Sequence, residues 1–307
     1  MVCCLNPTCD HPQNAEGTKF CHSCGTILGF LRNHYHIIEL LSDEGRFGRT
    51  YLAEDIDKPK PEPCVVKQLA PKVQGTGAIQ KSIQLFKEEA HRLQEMGTHP
   101  QIPTLYAYFE ENNFMYLVQE WIQGQTLTKL LQQPWSENEI RRFLLDILPV
   151  LQFIHQQPVP VIHRDIKPAN IIRRQSDGKF VLIDFGASKQ LAATVIVNQG
   201  TRIGTNGYSP YEQMLGGEAY PASDLFSVGA TCFHLLTQVD PYHLFLNEGY
   251  SWVENWRQHL HQAISADLWD VLDKLLQKDY QMRYQSAAEV ITDLNLPPTP
   301  VIPPKPP

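Results

Sequence analysis

The sequence predicts an α+β chain of two lobes, because strand-like runs come first and helices come afterwards. "YHIIELL", "RTYLAED" and "PCVVKQLA" are short β-rich runs separated by turn residues. "AIQKSIQLFKEEAHRLQEM" then places Ile79, Ile83, Phe86, Ala90 and Leu93 on one helical stripe. Glu88 points away from that stripe, and Glu89 sits at its edge. Two more strands follow, "TLYAYFEEN" and "FMYLVQEWI". From Ser136 onward the pattern is helical: "SENE" is a capping box, with Ser136 at the N-cap and Glu139 at N3, opening "EIRRFLLDILPVLQFIHQQ".

The ends differ from this body. Residues 1–29 are polar, cysteine-rich and poor in core formers, whereas regular apolar periodicity runs from about Asn33 to Leu296. The tail, residues 297–307, is dominated by proline and reads as an extended linker; its abrupt stop suggests a chain cut from a longer protein. The net charge of −7 over 307 residues argues against a nucleic-acid partner. No apolar run approaches the roughly 18 residues a membrane span needs. The N-terminus lacks the basic and apolar regions of a secretory signal. These features point to the cytoplasm, where the seven cysteines are expected as thiols or metal ligands.

Chemistry concentrates in "VIHRDIKPANII" and "FVLIDFGAS". An apolar strand end presents Asp165, followed by Lys167 and Asn170; a second apolar strand delivers Asp184, then Phe185 and Gly186. These residue types suit phosphoryl transfer. Asp165 can accept the proton of an attacking hydroxyl, and Lys167 can neutralise charge on the transferring group. Asn170 and Asp184 offer the hard oxygen ligands that Mg²⁺ prefers. The stretch "ELLSDEGRFGRTYLAED" carries Gly45 and Gly48 at phosphate-loop spacing, although Asp43 stands where a first glycine would fall. By itself that pair fits an ordinary hairpin equally well.

Taken together, these motifs resemble those of the eukaryotic-type protein kinases over residues 34 to about 296. The resemblance implies a two-lobed kinase fold: a β-rich N-lobe (about 34–122) with one helix, αC in kinase nomenclature, and a helical C-lobe (about 123–296). It implies Mg²⁺-ATP as cofactor and serine or threonine hydroxyls of proteins as substrate, the latter through Lys167. Gly45, Phe47 and Gly48 would form the glycine-rich loop. Lys67 would grip the phosphates and pair with Glu89. Glu120 and Ile122 would meet adenine through their backbone, behind Gln119 as gatekeeper. Asp43 is expected to weaken ATP affinity by up to about tenfold, so that Asp43→Gly would tighten it. Pro210-Tyr211-Glu212 departs from the usual Ala-Pro-Glu, yet Glu212 keeps a partner in Arg283. Asp224 would brace the catalytic loop. Arg164 implies control by an activation-segment phosphate, with Thr194 and Thr201 as candidates and Thr205 as an active-site hydroxyl.

Near the N-terminus, Cys4 and Cys9, then Cys21 and Cys24, have the spacing of a small zinc ribbon, with Cys3 as an alternative to Cys4 and His11 and His22 as weaker ligands. A thiol redox switch and inert thiols are the alternatives. Having no core of its own, the segment would depend on metal to fold, while the kinase body is expected to stand on its own core. "CLNPTC", "FCHSCG" and "GRFGRTYLAED" resemble a cyanobacterial subgroup of serine/threonine kinases. Cys64 and Cys232 read as buried small hydrophobes. Two other functions remain open: a pseudokinase scaffold, and a metal- or redox-sensing module that controls the kinase.

Overall fold

The computed structural model describes residues 1–45, 48–70, 75–185, 207–215, 217–295 and 301–302. Two compact units emerge, and the first holds Met1–Thr98 and Pro103–Ile122. Its strands are β1 (Val2–Cys3), β2 (Gln13–Asn14), β3 (Tyr35–Gly45), β4 (Gly48–Asp55), β5 (Glu62–Leu69), β6 (Leu105–Glu111) and β7 (Phe114–Glu120), with helix α1 at Thr76–Met96. β3 to β7 make one antiparallel sheet in the order β3-β4-β5-β7-β6, and β1 pairs with β2.

Side chains alternate between the faces of a strand, so the β4–β5 register decides what each face carries. Arg49 lies opposite Gln68, and Thr50 opposite Lys67. Lys67 therefore projects from one face, and Arg49 and Gln68 from the other. On the Arg49 face Tyr51, Ala53, Cys64, Val66, Tyr116 and Val118 pack with Tyr35, Ile37, Leu31 and Cys3. The cysteine-rich segment is thus part of the cover on this face, through Cys3 and Leu5. This contact adds to the core expected from near Asn33 onward. It also explains why "CVVKQL" reads as a near-continuous buried run, since both of its faces are covered.

Helix α1 forms where expected, but its buried face is turned. Ser82, Leu85, Phe86, Ala90, Leu93 and Met96 are buried, while Ile79 is exposed. Ser82 can sit inside because its hydroxyl donates to the Ala78 carbonyl at 2.9 Å. The turn carries Glu89 further inward than the Ile79–Ile83 stripe implies.

The second unit holds His99–Ile102 and the chain from Gln123 onward. It contains β8 (Gly124–Thr126), α2 (Leu127–Leu130), α3 (Glu137–His155), β9 (Ile171–Arg174), β10 (Phe180–Leu182), α4 (Tyr211–Leu215) and α5 (Pro221–Thr237), then helices at Pro241–Glu248, Ala266–Leu275 and Ala287–Leu294. The Ser136 cap is present: Glu139 Oε2 accepts from the Ser136 amide at 2.8 Å and from its hydroxyl at 2.7 Å. α5 is buried nearly all round, as a central core helix must be. A Cβ on Gly229 would lie 2.9 Å from that of Leu275, so glycine sets how closely these helices approach. In the proline-rich tail, Val301–Ile302 pairs antiparallel with Ile264–Ser265, a contact its composition does not predict.

Candidate active site and cysteine cluster

In the first unit, Lys67 Nζ meets Glu89 Oε1 at 2.6 Å, with both side chains nearly buried. The strand supplies the lysine and the inward-turned helix face supplies the carboxylate. Gly45 pairs with Gly48 to close the hairpin between β3 and β4; Phe47 lies outside the described residues. Glycine is required at 48, because a Cβ there would sit 1.7 Å from the Gln68 carbonyl oxygen. Glu120 ends β7 with its amide bonded to Thr104 O at 2.9 Å, and Ile122 is buried at the end of the unit.

In the second unit a single carboxylate organises the catalytic loop. Asp224, fully buried on α5, accepts from the amides of His163 and Arg164, each at 2.8 Å, and contacts His155 Nε2 at 2.9 Å. Burial alone would raise its pKa, but the His155 ring and these amides hold it below the usual carboxylate range. His163 accepts from the Asp165 amide at Nδ1 (3.2 Å), which leaves Nε2 to donate to Ile183 O at 3.1 Å. Burial pushes its pKa down, so it is a neutral structural link between the two motif segments. Its ring packs on Phe185 at 4.8 Å between centroids.

The same unit brings the predicted catalytic residues together. Lys167 Nζ lies 3.3 Å from Asp165 Oδ2, and Asn170 Nδ2 donates to Asp165 O at 2.8 Å. The Ile183 amide donates to Asn170 O at 3.0 Å, tying the strand that delivers Asp184 to the same loop. Arg164 (φ 68°) and Asp184 (φ 60°) both adopt left-handed backbone. That conformation is costly for non-glycine residues and gathers at functional sites. Glu212 and Arg283 form a buried bidentate pair at 2.7 and 3.2 Å, and Ser223 Oγ donates to Glu212 at 2.7 Å. The Pro210-Tyr211-Glu212 variation therefore keeps the ion pair, while Tyr211 stacks edge-on to Tyr250. Gly186, Thr194, Thr201 and Thr205 lie outside the described residues.

At the N-terminus the sulfurs of Cys4, Cys9, Cys21 and Cys24 all lie within 4.8 Å of one another, with Cys4–Cys24 and Cys9–Cys21 each at 3.6 Å. A Zn²⁺ tetrahedron with bonds of about 2.3 Å spaces its sulfurs by about 3.8 Å, so the donor set fits. The Asn6 amide points at Cys4 Sγ (3.4 Å) and the Asn14 amide group at Cys21 Sγ (3.5 Å), as donors do toward metal-bound thiolates. Between the two first-pair alternatives, strand alternation turns Cys3 into the sheet core, where burial pushes its thiol up to about 11, and leaves Cys4 to the cluster. His11 and His22 are not among the clustered ligands. Cys64 and Cys232 are buried, as expected.

Three polar residues went unread in the sequence. His155 anchors Asp224. Gln68 donates from Nε2 to Leu5 O at 2.8 Å and accepts from Tyr51 Oη at 3.1 Å. Arg49 is buried and reaches both Asp43 and the cysteine loop. The available signal was period-two: Arg49 and Gln68 occupy face positions otherwise filled by Tyr51, Ala53, Cys64 and Val66.

The fold and these motifs define a protein kinase. The family model described as the protein kinase domain matches residues 35–294, and the chain belongs to that family. Among curated proteins it is 38% identical to serine/threonine-protein kinase B of Synechocystis over 97% of this chain. It is 43% identical to serine/threonine-protein kinase PknA of Nostoc over 87% of it. The chain spans about half the length of these relatives, 52% and 48% respectively. The solved apo form of PpkA-294 aligns with a TM-score of 0.70 at 26% identity, covering 87% of this chain and 98% of that one. No helix among the described residues is long and apolar enough to cross a membrane.

Proposed function

We propose that the chain is an active serine/threonine protein kinase that transfers the γ-phosphoryl group of Mg²⁺-ATP to protein hydroxyls. The observation that carries this reading is the closed Lys67–Glu89 pair at 2.6 Å, which a nucleotide-blind scaffold has no need to keep. Asp165 accepts the proton of the substrate hydroxyl, and Lys167, 3.3 Å away, steadies that carboxylate and the charge on the transferring group. Asn170 and Asp184 are the residues that would hold Mg²⁺, which when bound neutralises phosphate oxygens. Lys67 would orient the α- and β-phosphates, and Gly45, Phe47 and Gly48 are the residues proposed for the phosphate loop. The backbone of Glu120 and Ile122 receives adenine. The named cyanobacterial relatives support serine/threonine specificity.

Cys4, Cys9, Cys21 and Cys24 are proposed to hold one Zn²⁺ as a structural ion, on the fit of their sulfur spacing. Metal analysis of purified protein should return about one zinc per chain, lost on changing Cys21 and Cys24 together to Ser. Metal-free protein with alkylatable cysteines would favour the redox alternative.

Purified protein with Mg²⁺-ATP should phosphorylate itself or a generic protein substrate on Ser or Thr, mapped by mass spectrometry. Asp165→Asn should lower the rate by about 10²–10⁴-fold with ATP binding retained. ATP binding with no transfer by the unmodified chain would leave a pseudokinase.

A further inference from the structure

Asp43 stands where a phosphate loop has its first glycine, yet its carboxylate is not loose. Arg49 Nε and Nη2 donate to Asp43 Oδ1 and Oδ2 at 3.1 and 2.9 Å, a two-pronged pair. The same guanidinium continues into the cysteine segment, where Nη1 donates to Asn6 O at 2.8 Å and Nη2 to Cys9 O at 2.9 Å. Asn6 lies in the loop between cluster ligands Cys4 and Cys9, and Cys9 is itself a cluster member. Arg49 is only 6% exposed and follows Gly48, the residue that closes the glycine hairpin.

The register sets the direction. Arg49 projects from the sheet face opposite Lys67, so pairing with it draws the Asp43 charge away from the phosphate-binding lysine. The loop that appears damaged in sequence is in this structure fastened from behind. We propose that Arg49 is a positioning residue, a clamp that fixes the glycine hairpin through Asp43 and makes ATP affinity depend on an intact cysteine loop. This rests on the kinase reading above. It reverses the sign expected for Asp43 from sequence: removing its carboxylate loosens ATP binding.

The test measures nucleotide affinity by calorimetry, together with KM for ATP and kcat, on the whole chain. Unmodified protein that bound no ATP would sink the kinase reading itself, separately from the clamp. Arg49→Ala should weaken ATP binding at least about fivefold and change kcat little. Arg49→Lys should fall between the two, because an ammonium cannot serve all four acceptors in the guanidinium's plane. Asp43→Asn, at a half-exposed position that tolerates change, should also weaken binding. Combined with Arg49→Ala it should add almost nothing, as two halves of one clamp must. Protein treated with a strong chelator, freed of it and returned to Mg²⁺ should bind ATP more weakly than untreated protein, whereas the same treatment should leave ATP binding by Arg49→Ala unaffected. Unchanged or tighter ATP binding in folded Asp43→Asn, or additive effects of the pair, would overturn the clamp. If thermal melting shows that Arg49→Ala is unfolded, Asp43→Asn and Arg49→Lys decide alone.

Discussion

The two units hold their working loops by opposite means. In the second, the catalytic loop is held by one buried carboxylate, Asp224, on a helix that is buried on nearly every side. In the first, a segment with no core is fastened by long polar side chains, Arg49 and Gln68, that leave the sheet to capture its carbonyls. Where apolar burial is plentiful, one charge with several donors suffices, and its loss is felt through the whole core. Where burial is scarce, hydrogen bonds to the backbone take its place, joined by the metal proposed for the cysteine cluster, and damage there is expected to stay local and graded.

The sharpest way to break that comparison is Asp224→Ala. It strands the buried amides of His163 and Arg164 and the His155 ring, and should destabilise the protein by about 3–5 kcal/mol in chemical denaturation. Because the folded pKa of Asp224 is depressed, its contribution is complete above about pH 4 and disappears as pH falls through the folded value. Asp224→Asn should therefore flatten that part of the acid limb of the stability profile; an unchanged limb would remove Asp224 as the anchor.

A smaller and more local effect is expected from Cys21→Ser with Cys24→Ser. Zinc should be lost, and hydrogen exchange should rise first at the Asn6–Cys9 loop and the β3–β4 strands, with the amides of α5 still protected. Equal loosening of α5 would show the cysteine segment to be as global a brace as Asp224. Gln68→Leu keeps the volume but leaves Leu5 O and Tyr51 Oη without their partner, at about 1–3 kcal/mol by thermal denaturation. Smallest is Ser136→Ala, which removes the hydroxyl bond to Glu139 and should cost about 1 kcal/mol by the same measurement.

Much of the site was legible because catalytic chemistry is written locally. Asp165, Lys167 and Asn170 occupy one turn of chain, and Asp184 ends an apolar strand, so residue type and spacing suffice. Glu89 was separable from Glu88 because helical period alone puts it nearer the buried face. The clustering of Cys4, Cys9, Cys21 and Cys24 was legible for the same reason, since pairs of thiols at that spacing are the signature of a metal site.

What sequence alone determined is therefore the class of fold, the order of its elements and the set of residues proposed for phosphoryl transfer, since each depends on periodicity or on neighbours within a few positions. Tertiary structure decided the rest. It turned Cys3 to the sheet and Cys4 to the cluster, drew Glu89 inward to Lys67, and made Asp43 half of an ion pair whose guanidinium also holds Asn6 and Cys9. The guanidinium's contacts with Asn6 and Cys9 join residues 43 and 40 positions apart. Whether a charge is a defect or an anchor depends on which partner the folded chain brings to it, and one-dimensional spacing carries no record of that.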